Sequence, residues 1–113
     1  MVSDFEPREI RRKDEAALRR ACELALQHLR TQSDRPVAER ASLESLEEAF
    51  GEGLPESGTA AEAVIEQLAA AAEPGLVASS GPRFFGFVIG GAVPASIAAD
   101  WLVSAWDQNS GLY

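Results

Sequence analysis

The chain has 113 residues, a formal net charge of −8, 46% hydrophobic and 25% charged side chains, one cysteine and one histidine. That is the make-up of one small globular domain or part of a larger one, and it excludes a disordered or fibrous chain. Cys22 alone excludes an internal disulfide, and Cys22 with His28 is too small a set for a structural zinc site.

The charge is unevenly spread. Residues 1–40 carry nine basic and eight acidic side chains, whereas residues 41–113 carry only Arg83 against ten acids. A nucleic-acid surface needs clustered Lys or Arg facing phosphates, and the only basic cluster, Arg11-Arg12-Lys13, runs straight into Asp14-Glu15. Nucleic-acid binding is not expected. Residues 1–6 lack the basic start and apolar stretch of a signal peptide, so the expected location is cytoplasmic.

In chain order, the first element is a helix over Arg8 to Arg30, with Leu18, Cys22, Ala25 and Leu29 on one narrow apolar stripe and charges around the rest. At 1.5 Å per residue it is about 33 Å long, too thinly apolar to stand alone, so it is expected to lie against something else. The basic triplet reads as a solvated first turn or two. Residues 31–41 form a linker, because Pro36 biases Arg35 away from helix. Ser42 can cap a short helix through Phe50, with Leu43, Leu46 and Phe50 at helical spacing, ended by Gly51, Gly53 and Pro55.

Thr59-Ala-Ala-Glu62 has the form of a capping box, and Val64, Ile65, Leu68, Ala71 and Ala72 follow as a third helix that stops at Glu73-Pro74-Gly75. The run Phe84 to Ile89 is short, apolar and β-prone, which predicts a strand or extended segment. Pro94 suits the first position of a fourth helix, whose inner face is Ile97, Ala98, Trp101, Leu102 and Ala105 and which ends near Asp107 to Asn109. The uncharged run 84–99 is too short and too broken by glycine and proline for a membrane span. The fold class is therefore mainly α, about four helices plus a short extended segment.

Few residues carry chemistry on their own. His28 has no Ser or Cys placed to form a triad and reads as a surface or packing residue. Cys22, on the apolar stripe, reads as a small core residue. Glu44, Glu47, Glu48, Glu52 and Glu56 are dispersed along a helix end and turn, the pattern of a solvated face rather than a catalytic or metal-binding pair. Gly90-Gly91 lacks the lysine and spacing of a phosphate loop and reads as a tight turn or a close backbone approach. No catalytic, cofactor-binding or metal-binding residue is assigned. The unusual feature is Pro82-Arg-Phe-Phe-Gly-Phe-Val-Ile-Gly-Gly91: side chains of a strand alternate between faces, so its three phenylalanines cannot all enter one core. One face must meet a partner or line a pocket, or the segment is buried in a larger body.

The string Pro82-Arg-Phe-Phe-Gly-Phe87, with Gly90-Gly91, Ala99-Asp100-Trp101-Leu102 and Asn109 to Tyr113, resembles the N-terminal portion of pyridoxal-phosphate-dependent group II decarboxylases, which act on aromatic amino acids, glutamate and related substrates. Arg35-Pro36-Val37, Leu54-Pro55-Glu56 and Pro74-Gly75-Leu76 match in the same order, so the resemblance runs over residues 8–113.

It implies the N-terminal arm and the start of a fold-type I enzyme, with residues 1–78 as a helical arm and residues 79–113 as a substrate-loop segment leading into the cofactor-binding domain. It also implies a homodimer joined through the arm, pyridoxal 5′-phosphate as cofactor, a small amino acid as substrate, and Phe87, Val88 and Ile89 as substrate-binding residues. The family's cofactor lysine, stacking histidine and pyridine-facing aspartate fall downstream of Tyr113, so this chain alone is expected to be inactive.

Two departures stand out. Family members acting on aromatic amino acids usually carry His-Pro where this chain has Gly81-Pro82, and Tyr-Phe-Pro-Thr where it has Phe87-Val88-Ile89-Gly90. Without that threonine hydroxyl, a catechol-type substrate loses its partner. The competing readings are a non-catalytic helical interaction module and a related pyridoxal-phosphate lyase or transaminase.

Overall fold

A computed structural model describes residues 7–38, 40–51 and 53–111. Among them the chain forms four helices and no strand: α1 (Pro7–Thr31), α2 (Leu43–Phe50), α3 (Ala61–Ala72) and α4 (Pro94–Trp106), with 3-10 turns at Gln32–Asp34 and Glu73–Gly75. The mainly α expectation holds. The expectation of no signal peptide falls on residues 1–6, outside the described residues.

Local chemistry explains most boundaries. Ser42 sits in extended conformation before α2, and its Oγ accepts from the Ser45 amide at 3.1 Å. Gly51, at φ +72°, closes α2 with its own N–H on the Glu47 carbonyl at 3.0 Å, a conformation that glycine adopts without steric cost. Arg35, before Pro36, is extended at φ −71° and ψ 148°, as the proline requires. Pro94 opens α4, and Asp107 ends it in the left-handed region at φ 47°.

The capping box does not form. The helix begins one residue later than that motif requires, with Ala60 at the N-cap accepting the Val64 amide at 3.0 Å and no side-chain cap. Thr59 is left outside the helix and Glu62 falls at its second position, so the reciprocal bonds have lost their spacing.

Helices α1 and α3 pack together, and α2 packs on α3. Leu46 of α2 lies so close over Gly75 that a Cβ there would sit 2.9 Å from Leu46 Cδ1. Arg20 of α1 bonds Glu66 of α3 as well as Glu23, the latter at 2.9 Å, and Arg35 bonds Glu73. The face of α1 turned to α3 carries half-buried Ala17, Ala21, Leu24 and His28. It is not the stripe expected to pack: Leu18 is 53% and Leu29 43% exposed, Cys22 is exposed rather than a core residue, and Ala25 alone of the four is half-buried. The two faces are offset by one residue throughout, about 100° around the helix, so α3 covers mainly one of them.

Helix α4 is covered more thinly. Ile97 and Trp101 are half-buried, whereas Ala98, Leu102 and Ala105 of the expected inner face are exposed. Among the described residues only Ala78 is buried, at 4% exposure. The accessible surface is 9903 Å² for 12.1 kDa, against about 6,000 Å² for a compact monomer of that mass. The radius of gyration is 17.8 Å, where about 13 Å is typical of a compact domain of this length. The chain is laid out as a set of helices around a minimal core.

Candidate functional site

The segment carrying the three phenylalanines is fixed at its base and open at its tip. At the base, the Ala78 amide donates to the Pro36 carbonyl at 3.3 Å, and the Gln32 side chain bonds Ser80. The Gly81 amide donates to the Ala78 carbonyl at 3.0 Å, and the Phe84 amide to the Gly81 carbonyl at 3.3 Å. A Cβ on Gly81 would stand 3.1 Å from the Ala78 carbonyl oxygen and 3.2 Å from that of Gln32. Backbone on two sides thus favours glycine here, because a side chain would press on both carbonyls. Arg83 reaches back to the linker, donating from Nη2 to the Arg35 carbonyl at 2.6 Å.

Phe84 is the inward ring: it is half-buried, and a Cβ on Gly86 would lie 3.2 Å from its Cζ. Beyond it the predicted extended segment does not form. The chain turns at Gly86 to Ile89, with Phe87 at φ 59° and Val88 at φ 53°. Phe84 to Ile89 has no neighbouring strand among the described residues, so nothing supplies the ladder that would hold it straight. Gly90 is open, and Gly91 approaches Ser80, 3.5 Å from its would-be Cβ to Ser80 Cβ, so the tight turn precedes the glycine pair.

Two consecutive residues in the left-handed region make a turn that ordinarily takes Asn-Gly, and each non-glycine residue there costs about 1–2 kcal/mol, more for a branched side chain. Phe85, Phe87 and Val88 are 93%, 90% and 103% exposed, so no packing among the described residues offsets that cost. Sequence reasoning placed Phe87, Val88 and Ile89 at the site, and the structure carries all three on this one turn. It missed Phe85, which projects from the same tip. The missing signal was the turn itself, because Phe-Val does not advertise positive φ. From Phe84 to Ala99 the chain has no charged side chain.

Away from the turn, an open groove of about 550 Å³ lies between α1 and α3, lined by Leu24, His28, Ile65, Leu68 and Ala69 and by the paired Arg35 and Glu73. None of Phe87, Val88 or Ile89 lines it. Glu66 on its edge is held below the ordinary carboxylate range by its bond to the Arg20 guanidinium. No group of three metal-ligating side chains occurs among the described residues.

The chain's residues do not fit pyridoxal phosphate. Its one lysine, Lys13, is exposed on α1 beside exposed Asp14 and Glu15, whereas an aldimine-forming lysine needs a desolvated pocket that lowers its pKa. The acidic side chains of α2, Glu44, Glu47 and Glu48, are exposed, as is Glu56, while Glu52 lies outside the described residues. Comparison with protein-family models, with curated proteins and with solved structures finds no match.

Proposed function

We propose that the chain serves as the N-terminal segment of a pyridoxal-phosphate-dependent amino acid carboxy-lyase, contributing homodimer contacts through its helices and a wall of the substrate pocket through the Gly86–Ile89 turn. The reading starts from the collinear resemblance around Pro82-Arg-Phe-Phe-Gly-Phe87. The observation that carries it is the exposed turn, in which unfavourable backbone conformation is retained with three uncovered apolar side chains at the tip. Strain without a compensating contact belongs to a surface that acts on something else. In this reading the cofactor, its lysine and the reacting atoms lie outside these residues, and the location is cytoplasmic.

The test uses the polypeptide that carries this segment, supplied with pyridoxal phosphate and a panel of amino acids, with carbon dioxide release as readout. Phe87→Ala and Val88→Ala are expected to change kcat/KM ratios between aromatic and aliphatic amino acids by an amount equivalent to about 1–3 kcal/mol, with little change in Tm. Unaltered ratios with a lowered Tm would mark the turn as plain packing. Amino-group transfer without carbon dioxide release would point to a related lyase or transaminase. The second reading, a non-catalytic helical interaction module, is favoured by the exposed Leu18, Cys22 and Leu29 of α1, and absence of any turnover alongside partner binding through those residues would select it.

A further inference from the structure

We infer that Arg83 is a positioning residue: its guanidinium clamps the linker carbonyl of Arg35, and this contact sets where the Gly86–Ile89 turn stands relative to the helical arm. The consequence for substrate choice rests on the proposed function, whereas the clamp itself does not.

The first argument is where Arg83 sits. Gly81 to Phe84 form a turn closed by the Phe84 amide on the Gly81 carbonyl at 3.3 Å, with Pro82 at the second position, where its fixed φ suits such a turn. Only Phe85 separates this turn from the one at Gly86 to Ile89, so the first aims the second. Arg83 lies exposed on the first turn and donates from Nη2 to the Arg35 carbonyl oxygen at 2.6 Å, 48 residues back along the chain. A charged donor on a carbonyl makes a stronger bond than a neutral one. The Ala78–Pro36 and Gln32–Ser80 bonds join the same two stretches further from the tip.

The second argument is that the acceptor is held. Pro36 keeps Arg35 extended, which fixes where its carbonyl points. The Arg35 side chain is 17% exposed and itself engaged, donating from Nε to Thr31 Oγ1 at 3.0 Å and bonding Glu73. A donor on an exposed turn thus meets an acceptor tied on both sides. The third argument is charge. Arg83 is the one basic residue from 41 to 113, against ten acids, yet among the described residues it makes no ion pair and turns to a backbone oxygen instead. A guanidinium placed only to balance charge would be aimed at a carboxylate.

The experiment is amide hydrogen exchange on the full chain, read residue by residue. Arg83→Met keeps the apolar stem and removes the donor, and it is expected to speed exchange at the Gly81 and Phe84 amides by about tenfold while α1 and α3 are unchanged. Arg83→Lys keeps a cationic donor and is expected to recover most of the protection. Pro36→Ala, which loosens the acceptor, is expected to speed exchange at the same two amides and to add little in the Arg83→Met background, as groups acting through one bond do. In the polypeptide that carries this segment, Arg83→Met is expected to shift kcat/KM ratios between aromatic and aliphatic amino acids severalfold with little change in Tm.

Unchanged exchange in Arg83→Met would overturn the clamp, and so would effects of Arg83→Met and Pro36→Ala that simply add. A raised KM for every amino acid with exchange unchanged would make Arg83 a partner of the substrate carboxylate instead. Faster exchange with unchanged ratios would uphold the clamp and deny it a part in substrate choice. Faster exchange without any carbon dioxide release would leave the clamp standing and remove the decarboxylase reading.

Discussion

Val88 sets the clearest conflict between a residue and its place. A β-branched side chain at φ 53° is strained, and at 103% exposure it has no contact to justify the strain within the chain. Glycine at the same point adopts positive φ freely but loses more entropy on ordering, so Val88→Gly should be neutral or stabilising by about 1 kcal/mol, where Val to Gly in regular structure destabilises. A melting curve decides it, and a Tm lowered by several degrees would place Val88 in an ordinary packed conformation. Phe84→Ala should lower Tm while Phe85→Ala should not, since only the first ring is folded back against the chain.

Ala78 is the opposite case, a residue with no room to spare. Enlarging the one buried side chain among the described residues, as Ala78→Leu, should cost about 1–3 kcal/mol, read as a shift in the denaturant midpoint. At this scale the sequence was legible where chemistry is local: Ser42 could be named as a cap from its hydroxyl and the following helical spacing. It was illegible where conformation runs against composition. Phe-Val reads as strand because both residues favour strands, and only the absence of a partner strand turns it aside.

Among the elements, α1 shows why periodicity finds helices better than it assigns their faces. Its bounds agree to within one residue at each end with those read from the pattern, yet the stripe that defined it is not the face that meets α3. Ala17 and Ala21 are small enough to be overlooked in an apolar count, and small residues are what allow α3 to come close.

The contact is reinforced by Arg20 and Glu66. Because Glu66 titrates below its ordinary range in the folded chain, the pair contributes stability that is fully present above the unfolded carboxylate pKa, about 4.3, and is lost as pH falls through the lower folded value. Far-ultraviolet circular dichroism during acid titration should show helicity declining in that acidic window, and Glu66→Gln should flatten that part of the curve. A titration indistinguishable from wild type would show that the pair contributes nothing to holding α1 on α3. Both groups are solvent-accessible, so added salt should diminish the effect.

For the molecule as a whole, surface decides behaviour. A chain whose exposed apolar residues include Leu18, Phe50, Leu68, Phe85, Phe87 and Trp106 should associate with itself, and the uncharged window Phe84 to Ile89 adds an aggregation-prone segment. Opposing this is a net charge of −8, concentrated in residues 41–113, which makes copies repel at long range. Apolar contact acts at van der Waals distance and is indifferent to screening, whereas the repulsion is cut as the Debye length falls from about 30 Å at 0.01 M salt to about 3 Å at 1 M. Association should therefore strengthen as salt rises, the reverse of an assembly held by complementary charges. Sedimentation velocity across that range should show the average mass increasing, with Leu18→Glu and Leu29→Glu delaying the rise to higher salt. A compact monomer throughout, with a frictional ratio near that of a globular protein, would mean that the helices close upon themselves and that their exposed faces need no partner.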